Sequence, residues 1–120
     1  STPREIAVMN QQTDELTGVA LTEACMLKAG YCWDEDGSWL KDADQRVMVV
    51  LHDDVQQCLD ILWPVLQARG WVSWDMHYHV GGWYTVMLWR AGLSNWKDGL
   101  SKTKPSEAWC LAFLAAMEAE

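Results

Sequence analysis

The chain has 120 residues, half of them hydrophobic, and this length predicts a single domain over residues 1–120 that buries its own core. The formal net charge of −8 argues against direct binding to DNA or RNA, because such binding depends on Lys and Arg contacts to phosphates. No apolar run approaches the roughly 18 residues of a membrane span, so the sequence predicts no contact with a membrane.

The N-terminal quarter of the chain has the pattern of a helix. Thr2, Pro3 and Glu5 form a capping box, and apolar residues then recur at helical spacing as far as Leu27. A second start signal at Thr13 predicts a break, so residues 1–12 are expected to form an N-terminal helical extension.

A short hairpin, a strand and a second helix are predicted next. "YCWDEDGSWLK", residues 31–41, has a turn at Asp36-Gly37, and "RVMVVL", residues 46–51, is a β-branched apolar run. A helix capped at His52 or Asp53 runs to Gly70, and Pro64 predicts a kink near residues 60–64.

The strongest hairpin signal is "WVSWDMHYHV" followed by "WYTVMLWR", with Gly81-Gly82 expected to form a two-residue loop. That loop would pair Val80 with Trp83 and Tyr78 with Thr85. Alternation then predicts an aromatic side with Trp74, Met76, Tyr78 and Trp83, and a more polar side with Asp75, His77 and His79. A loop over residues 93–104 and a last helix opened by Pro105 complete the chain.

Five segments in this order are similar to the phage ABA-sandwich domain family of small phage and prophage proteins, most of unknown function. They are "AGYCW", "VLHDD", "LQARGW", "GGW" and "TKPSEAWCLAFLAAM", and the resemblance, from about residue 20 onward, covers about five sixths of the chain. The resemblance implies a phage origin and an α+β fold. We expect a three-layer α/β/α sandwich with a mostly antiparallel sheet and the order α-β-β-β-α-β-β-α. It implies no catalytic residue.

The histidines and cysteines give no defined reaction centre. Asp75, His77 and His79 share a strand face, but they span about 13 Å, too far for all three to bind one ion. Cys32 and Cys58 lie in no nucleophile motif, and the four cysteines predict reduced, mostly buried thiols. We therefore assign no catalytic residue, no metal ligand and no cofactor.

Acidic residues cluster in the first half of the chain, where they predict either a solvated loop rim or a patch that mimics nucleic acid. The candidate partner-binding residues are Asp34, Glu35, Asp36, Asp42, Asp44, Asp53 and Asp54. Such a patch would bind a host protein with a basic surface. The nine tryptophans predict either a tryptophan-rich core or a binding surface.

The sequence therefore favours a non-enzymatic inhibitor of a host antiviral defence protein, of the anti-CRISPR kind, in the cytoplasm of an infected bacterium. One alternative is a sponge for a nucleotide signal that uses tryptophans with Arg90, Lys97, Lys102 and Lys104. A structural or accessory phage protein and a metal-dependent enzyme based on His77 and His79 are further alternatives. A homodimer is left open.

Overall fold

The computed structural model describes residues 16–41, 46–90, 96–101 and 103–118. The predicted extension at residues 1–12 lies outside them. The helical segments are α1 (Gly18–Lys28), α2 (Val55–Gln57), α3 (Trp63–Gln67) and α4 (Pro105–Glu118), and the strands are β1 (Cys32–Trp33), β2 (Trp39–Leu40), β3 (Arg46–Val47), β4 (Trp71–His79), β5 (Trp83–Arg90) and β6 (Trp96–Ser101).

The first hairpin is confirmed, and it belongs to a small antiparallel sheet of order β1-β2-β3. Trp33 pairs with Trp39, which in turn pairs with Val47. The predicted strand over residues 46–51 is shorter than expected, since only Arg46–Val47 pair. The chain instead enters a 3₁₀ turn at Leu51–Asp53, which buries Leu51 in the core.

The middle helix is interrupted close to the kink predicted at residues 60–64, and its cap is Asp54 rather than the predicted His52 or Asp53. Asp54 caps α2 by accepting from the backbone N–H of Gln57 at 3.3 Å. A π-helical turn, Cys58–Leu62, separates α2 from α3, and within it the N–H of Trp63 donates to the carbonyl of Cys58. Pro64 has no N–H to donate, so the wider turn falls where the regular ladder would lose a bond.

The second sheet is antiparallel with the order β4-β5-β6. Its third strand was predicted as loop, because Lys97, Asp98 and Gly99 are poor strand formers. The Gly99 position pairs with Val86, and helix α4 passes directly over it. A Cβ at Gly99 would collide with the backbone of Ala108 and Ala112, so a glycine is needed for the close approach.

Helix α4 is the centre of the core. Gly99 places one side of α4 on the second sheet, while the thiol of Cys25 in α1 donates to the carbonyl of Cys110 at 3.5 Å. Trp109 is fully buried and makes edge contacts with Trp63 and Trp74, with ring centroids 6.3 and 5.9 Å away. Helix α4 therefore lies between the second sheet and α1.

The molecule is an α+β fold with two three-stranded antiparallel sheets and helices. The helical segments that contact the β4–β6 sheet do so on the face of Trp74, Val86 and Gly99. The predicted order, with helices on both faces of one sheet, is not seen in the described ranges and stays a prediction. No helix in those ranges is long and apolar enough to cross a membrane.

Candidate functional site

The face of the β4–β6 sheet that points away from α4 is the candidate site, and we call it the open face. Residues directly opposite in antiparallel strands project to the same side, so the register defines its members. They are Ser73, Asp75, His77 and His79 from β4, Trp83, Thr85, Met87 and Trp89 from β5, and Trp96, Asp98 and Leu100 from β6.

The open face differs from the predicted polar side because the predicted hairpin loop was wrong by one residue. The loop has three residues, Val80 to Gly82, and His79 rather than Val80 pairs with Trp83. The N–H of Gly82 donates to the carbonyl of His79 at 2.8 Å, and Gly82 has a φ of +86°. A turn closed by a left-handed glycine is typical of three-residue hairpin loops.

This one-residue difference turns every side chain of β5 to the other face. Trp83, predicted on the aromatic side with Tyr78, lies on the histidine side. Tyr84 takes its place beside Tyr78, with ring centroids 5.0 Å apart. Trp83 therefore shares one surface with His77 and His79, although it was predicted to lie on the opposite side of the sheet.

The turn end of the open face is held by His79. Its ring stacks on Trp83, with centroids 3.6 Å apart and planes inclined by 6°. Its Nε2 also hydrogen-bonds with the hydroxyl of Thr85 at 2.9 Å, which leaves Thr85 only 9% exposed. These contacts fix the indole and the imidazole as one flat aromatic surface.

Two carboxylates lie in the middle of the open face. Asp75 of β4 and Asp98 of β6 both pair with Met87 of β5, so they flank one methionine in a single row. Both are exposed. Neither residue was predicted as a site residue, because Asp98 was expected to lie in a loop. Its alternation with Trp96 and Leu100 was the available signal.

The far end of the open face is aromatic and exposed. Trp89 pairs with Trp96 across β5 and β6, and Trp96 is 47% exposed. Leu100, near the turn end, is 46% exposed. The open face thus combines indole rings, an aliphatic residue and two acids, which suits an arginine- or lysine-containing protein surface.

The predicted acidic residues of the first hairpin are partly neutralised within the chain. Arg46 bridges to Asp34 at 3.1 Å and also pairs with Asp36. Hydrogen bonds from the hydroxyl and N–H of Ser38, at 2.6 and 3.0 Å, lower the pKa of Asp36, and the Arg46 charge adds to this. Glu35 is exposed at the same turn.

The second acidic group lies at the start of the middle helix. Asp54 is the helix cap, and Asp53 pairs with Lys104 just before α4. The hydrogen bond from Lys104 lowers the pKa of Asp53, with a smaller contribution from His52. Asp34 and Asp36 are therefore paired with Arg46, and Asp53 is paired with Lys104. Asp42 and Asp44 lie outside the described residues.

No family model, curated protein or solved structure matches the chain. The phage ABA-sandwich resemblance therefore stays a prediction. Function has to be inferred from the residues themselves.

A hydroxyl, an imidazole and a carboxylate do meet at His52, where sequence reasoning saw only a cap. Thr22 Oγ1 lies 2.8 Å from His52 Nδ1, and His52 Nε2 lies 3.3 Å from Asp53. Thr22 also accepts the His52 N–H at 3.0 Å and is only 3% exposed. A catalytic nucleophile needs access to its substrate, so this chain of bonds fits a structural link between α1 and the 3₁₀ turn.

The core thiols are poor nucleophiles. Cys58 and Cys110 are fully buried with sulfur atoms 3.8 Å apart. The hydrogen bond with Cys110, together with burial, raises the pKa of Cys58, and contact with Cys25 followed by burial raises the pKa of Cys110. Both thiols stay protonated at neutral pH. Cys32 is exposed, while Cys25, Cys58 and Cys110 are buried, in agreement with the prediction of mostly buried thiols.

In the part of the chain that the structure describes, no third metal ligand is grouped with the histidine pair on β4. The rings of His77 and His79 lie 6.4 Å apart, and His79 is already engaged with Trp83 and Thr85. Within the described ranges, no three His, Cys, Asp or Glu residues are grouped so as to hold a metal ion.

Of the bases predicted for the nucleotide-sponge alternative, Arg90 contacts a tryptophan and Lys104 is engaged with a carboxylate elsewhere. Arg90 lies over the ring of Trp71 at 5.6 Å and donates to the carbonyl of Arg69, while Lys104 pairs with Asp53. Lys97 is exposed on β6, and Lys102 lies outside the described residues.

A groove of about 360 Å³ lies elsewhere, lined by both apolar and charged residues of the middle helix and the first hairpin. Tyr31, Lys41 and Arg69 line it, and the Lys41 ammonium lies 5.5 Å from the Tyr31 ring centroid. Asp60 adds a carboxylate to the same groove.

Proposed function

We propose that this protein is a non-enzymatic binding protein whose open face docks onto a basic surface of a partner protein. The observation that carries the proposal is that Trp83, Trp89 and Trp96 share one sheet face with Asp75 and Asp98. Tryptophan is enriched at interface hot spots, and carboxylates beside it select Arg and Lys. This arrangement gives both affinity and charge selection.

The finer proposal is that the partner is a host antiviral defence protein, inhibited in the cytoplasm of an infected bacterium in the manner of an anti-CRISPR protein. Supporting it are the resemblance to phage ABA-sandwich proteins, whose three-layer fold we keep as part of this proposal, and the acidic character of the open face. The loop carboxylates Asp34, Glu35 and Asp36 are proposed as a second, weaker contact, because Arg46 already offsets part of their charge.

The test is a phage-plaquing assay in a bacterium with active CRISPR immunity that expresses the chain. We expect the natural chain to restore plaquing and to co-purify with a component of the immune complex. Trp96→Ala combined with Asp98→Lys should abolish both effects, because it removes the exposed indole and reverses one charge. Met48→Lys is the control, since Met48 is 74% exposed and lies outside the open face.

The acidic loop is tested separately with Asp34→Lys, Glu35→Lys and Asp36→Lys combined. We expect a partial loss of binding, smaller than that of the open-face variant. If the loop variant abolishes binding while the open-face variant binds normally, the acidic hairpin is the docking surface and the open-face proposal is wrong. If the natural chain neither restores plaquing nor binds the immune complex, the anti-defence proposal is wrong.

A second candidate function, the nucleotide sponge, is favoured by the groove at Tyr31 and Lys41. Its volume of about 360 Å³ lies at the lower end of small-molecule sites. The aromatic ring and the cations suit a base and a phosphate. The test is a thermal-shift screen with linear and cyclic nucleotides. We expect one of them to raise the melting temperature of the natural chain but not that of Lys41→Glu. A screen without any shift would remove this candidate.

A further inference from the structure

Strand β4 is an edge strand with little of the usual protection against pairing. Among the described residues it pairs only with β5, on the opposite side from its free edge. Natural edge strands are usually blunted by Lys, Pro or several charges. Between Trp71 and Val80 there is no Lys, Arg or Pro, and Asp75 is the one carboxylate.

Exposed apolar side chains accompany this edge. Met76 and Tyr78 project to the side of the sheet that carries α4, yet they are 37% and 66% exposed because they lie beyond the helices. At the ends of the strand, Val72 and Val80 are 59% and 103% exposed. The opposite edge strand, β6, carries Lys97 and Asp98, the kind of charges that discourage pairing.

We infer that β4 pairs antiparallel with β4 of a second copy of this chain, with Met76 on the two-fold axis, to give a continuous six-stranded sheet. The regular part of β4 supports this centre. The pairing with β5 is uninterrupted from Ser73 to His79, after an irregularity between Trp71 and Ser73. Met76 is the midpoint of that stretch, so the register overlaps the two strands most fully.

The polar side chains of the strand select the same register. With Met76 opposite Met76, Asp75 of each copy lies opposite His77 of the other, so a carboxylate meets an imidazole N–H twice. Moving the centre to Asp75 would oppose two carboxylates, and moving it to His77 would oppose two histidines. Two carboxylates directly opposite one another destabilise a strand pair, whereas a hydrogen-bond donor opposite an acceptor stabilises it.

The apolar side of the strand is also satisfied in this register. Trp74 falls opposite Tyr78 of the second copy, next to the Met76 pair. Aromatic pairs are among the stabilising cross-strand contacts. Every second residue of an edge strand turns its N–H and C=O outward, and this register places such residues of the two copies opposite one another.

The dimer deepens the proposed function without depending on it. Two open faces would lie side by side on one sheet, which doubles the docking surface for a basic partner. Sedimentation of the purified chain involves no partner, so failure of the dimer would leave the docking proposal standing, and failure of docking would leave the dimer standing.

The first experiment is sedimentation velocity of the full chain from about 1 to about 100 µM. It is run at about 0.15 M salt, because the net charge of −8 on each copy opposes association at low ionic strength. We expect a concentration-dependent dimer, and Met76→Lys should raise its dissociation constant about tenfold or more by opposing two ammonium groups. Met48→Lys is the matched control and should dimerise normally, while circular dichroism checks that both variants fold.

The second experiment maps the register with engineered cysteines in a Cys32→Ser background, because Cys32 is an exposed thiol. Oxygen with a copper–phenanthroline catalyst oxidises two thiols to a disulfide. Met76→Cys should cross-link, since opposed Cα atoms lie about 4.5–5.5 Å apart. Asp75→Cys should not, because its Cα atoms would lie more than about 7 Å apart.

A chain that stays monomeric over the whole concentration range overturns the inference. So does a dimer that Met76→Lys leaves unchanged, which would place the contact on another surface. Cross-linking at residue 75 in preference to residue 76 would overturn the proposed register.

Discussion

At the scale of single residues, Glu107 joins the starts of two helices. Its carboxylate accepts from the N–H of Gly18 at 2.9 Å and from the hydroxyls of Thr103 and Ser101 at 2.6 and 3.4 Å. Burial alone would raise its pKa, but the bonds from Thr103 and Gly18 outweigh burial, so the pKa lies below its ordinary value of 4.5. The first turn of α1, which has no side-chain cap of its own, is thus capped from α4.

We expect Glu107→Gln to destabilise the fold at neutral pH by about 1–3 kcal/mol, the usual cost of losing hydrogen bonds to a charged group. Because the folded pKa is lowered, this stability is fully present above pH 4.5 and is lost as the pH falls through the folded value. The free energy of unfolding, measured with urea, should therefore fall more steeply with decreasing pH in this acid range for the natural chain than for the variant. Glu35→Gln, at an exposed turn, is the control. Equal acid dependence in natural chain and variant would contradict the assignment.

Local chemistry made several residues predictable. A carboxylate cap at the start of the middle helix follows from local chemistry, but the predicted residue was His52 or Asp53, whereas Asp54 makes the cap. The interruption before Pro64 follows from one missing N–H. The ion pairs of Asp34, Asp36 and Asp53 were not predictable. Their partners Arg46 and Lys104 are brought close by the small sheet and by α4, and sequence proximity indicates neither contact reliably.

At the scale of elements, the contact between β6 and α4 depends on Gly99. We expect Gly99→Ala to destabilise the protein by about 3 kcal/mol, at the upper end of overpacking effects, because the new methyl group meets backbone rather than a side chain that could move. Urea unfolding measures the loss. Lys97→Ala, an exposed change two residues earlier in the same strand, should alter stability little. Stability of Gly99→Ala equal to that of Lys97→Ala would show that the helix is not seated on this strand.

The hairpin shows why element positions are easier to predict than faces. Both strands were placed correctly from their composition, but Gly81-Gly82 permits a loop of two or three residues, and the choice decides which face Trp83 joins. Strand β6 was not predicted for a related reason. Gly99 weakens the strand pattern, and the need for a glycine at this position follows only from the packing of α4 over it. The carboxylates of the open face were missed with that strand.

At the scale of the whole molecule, the core separates the four cysteines into two classes. Cys25, Cys58 and Cys110 are buried together around α4, whereas Cys32 is exposed on the small sheet. We expect one thiol per native chain to react rapidly with DTNB, and the other three only after unfolding in urea. Hydrogen bonding and burial keep Cys58 and Cys110 protonated, which slows them further.

Cys32→Ser serves as the matched variant for this measurement and should remove the rapid phase while leaving the slow one unchanged. Two rapidly reacting thiols in the native chain would mean that the core around α4 opens far more readily than its burial indicates.

The overall class, α+β with an antiparallel sheet, followed from the order of helical and strand patterns. The arrangement of layers did not, because periodicity tells which side of an element is apolar and not which neighbour covers it. Helix α4 is buried on most of its surface, so its sequence carries only a weak preference for one side.

The central position of α4 has a consequence for the order of events during synthesis. Both the second sheet and α1 pack against Pro105–Glu118, and both precede it in the chain. Until Pro105–Glu118 has been synthesised, the second sheet and α1 have no helix to close on, and the contacts that join them span most of the described sequence. The residues before α4 should therefore leave the ribosome without stable tertiary structure. They should fold in one cooperative step once α4 has left the exit tunnel.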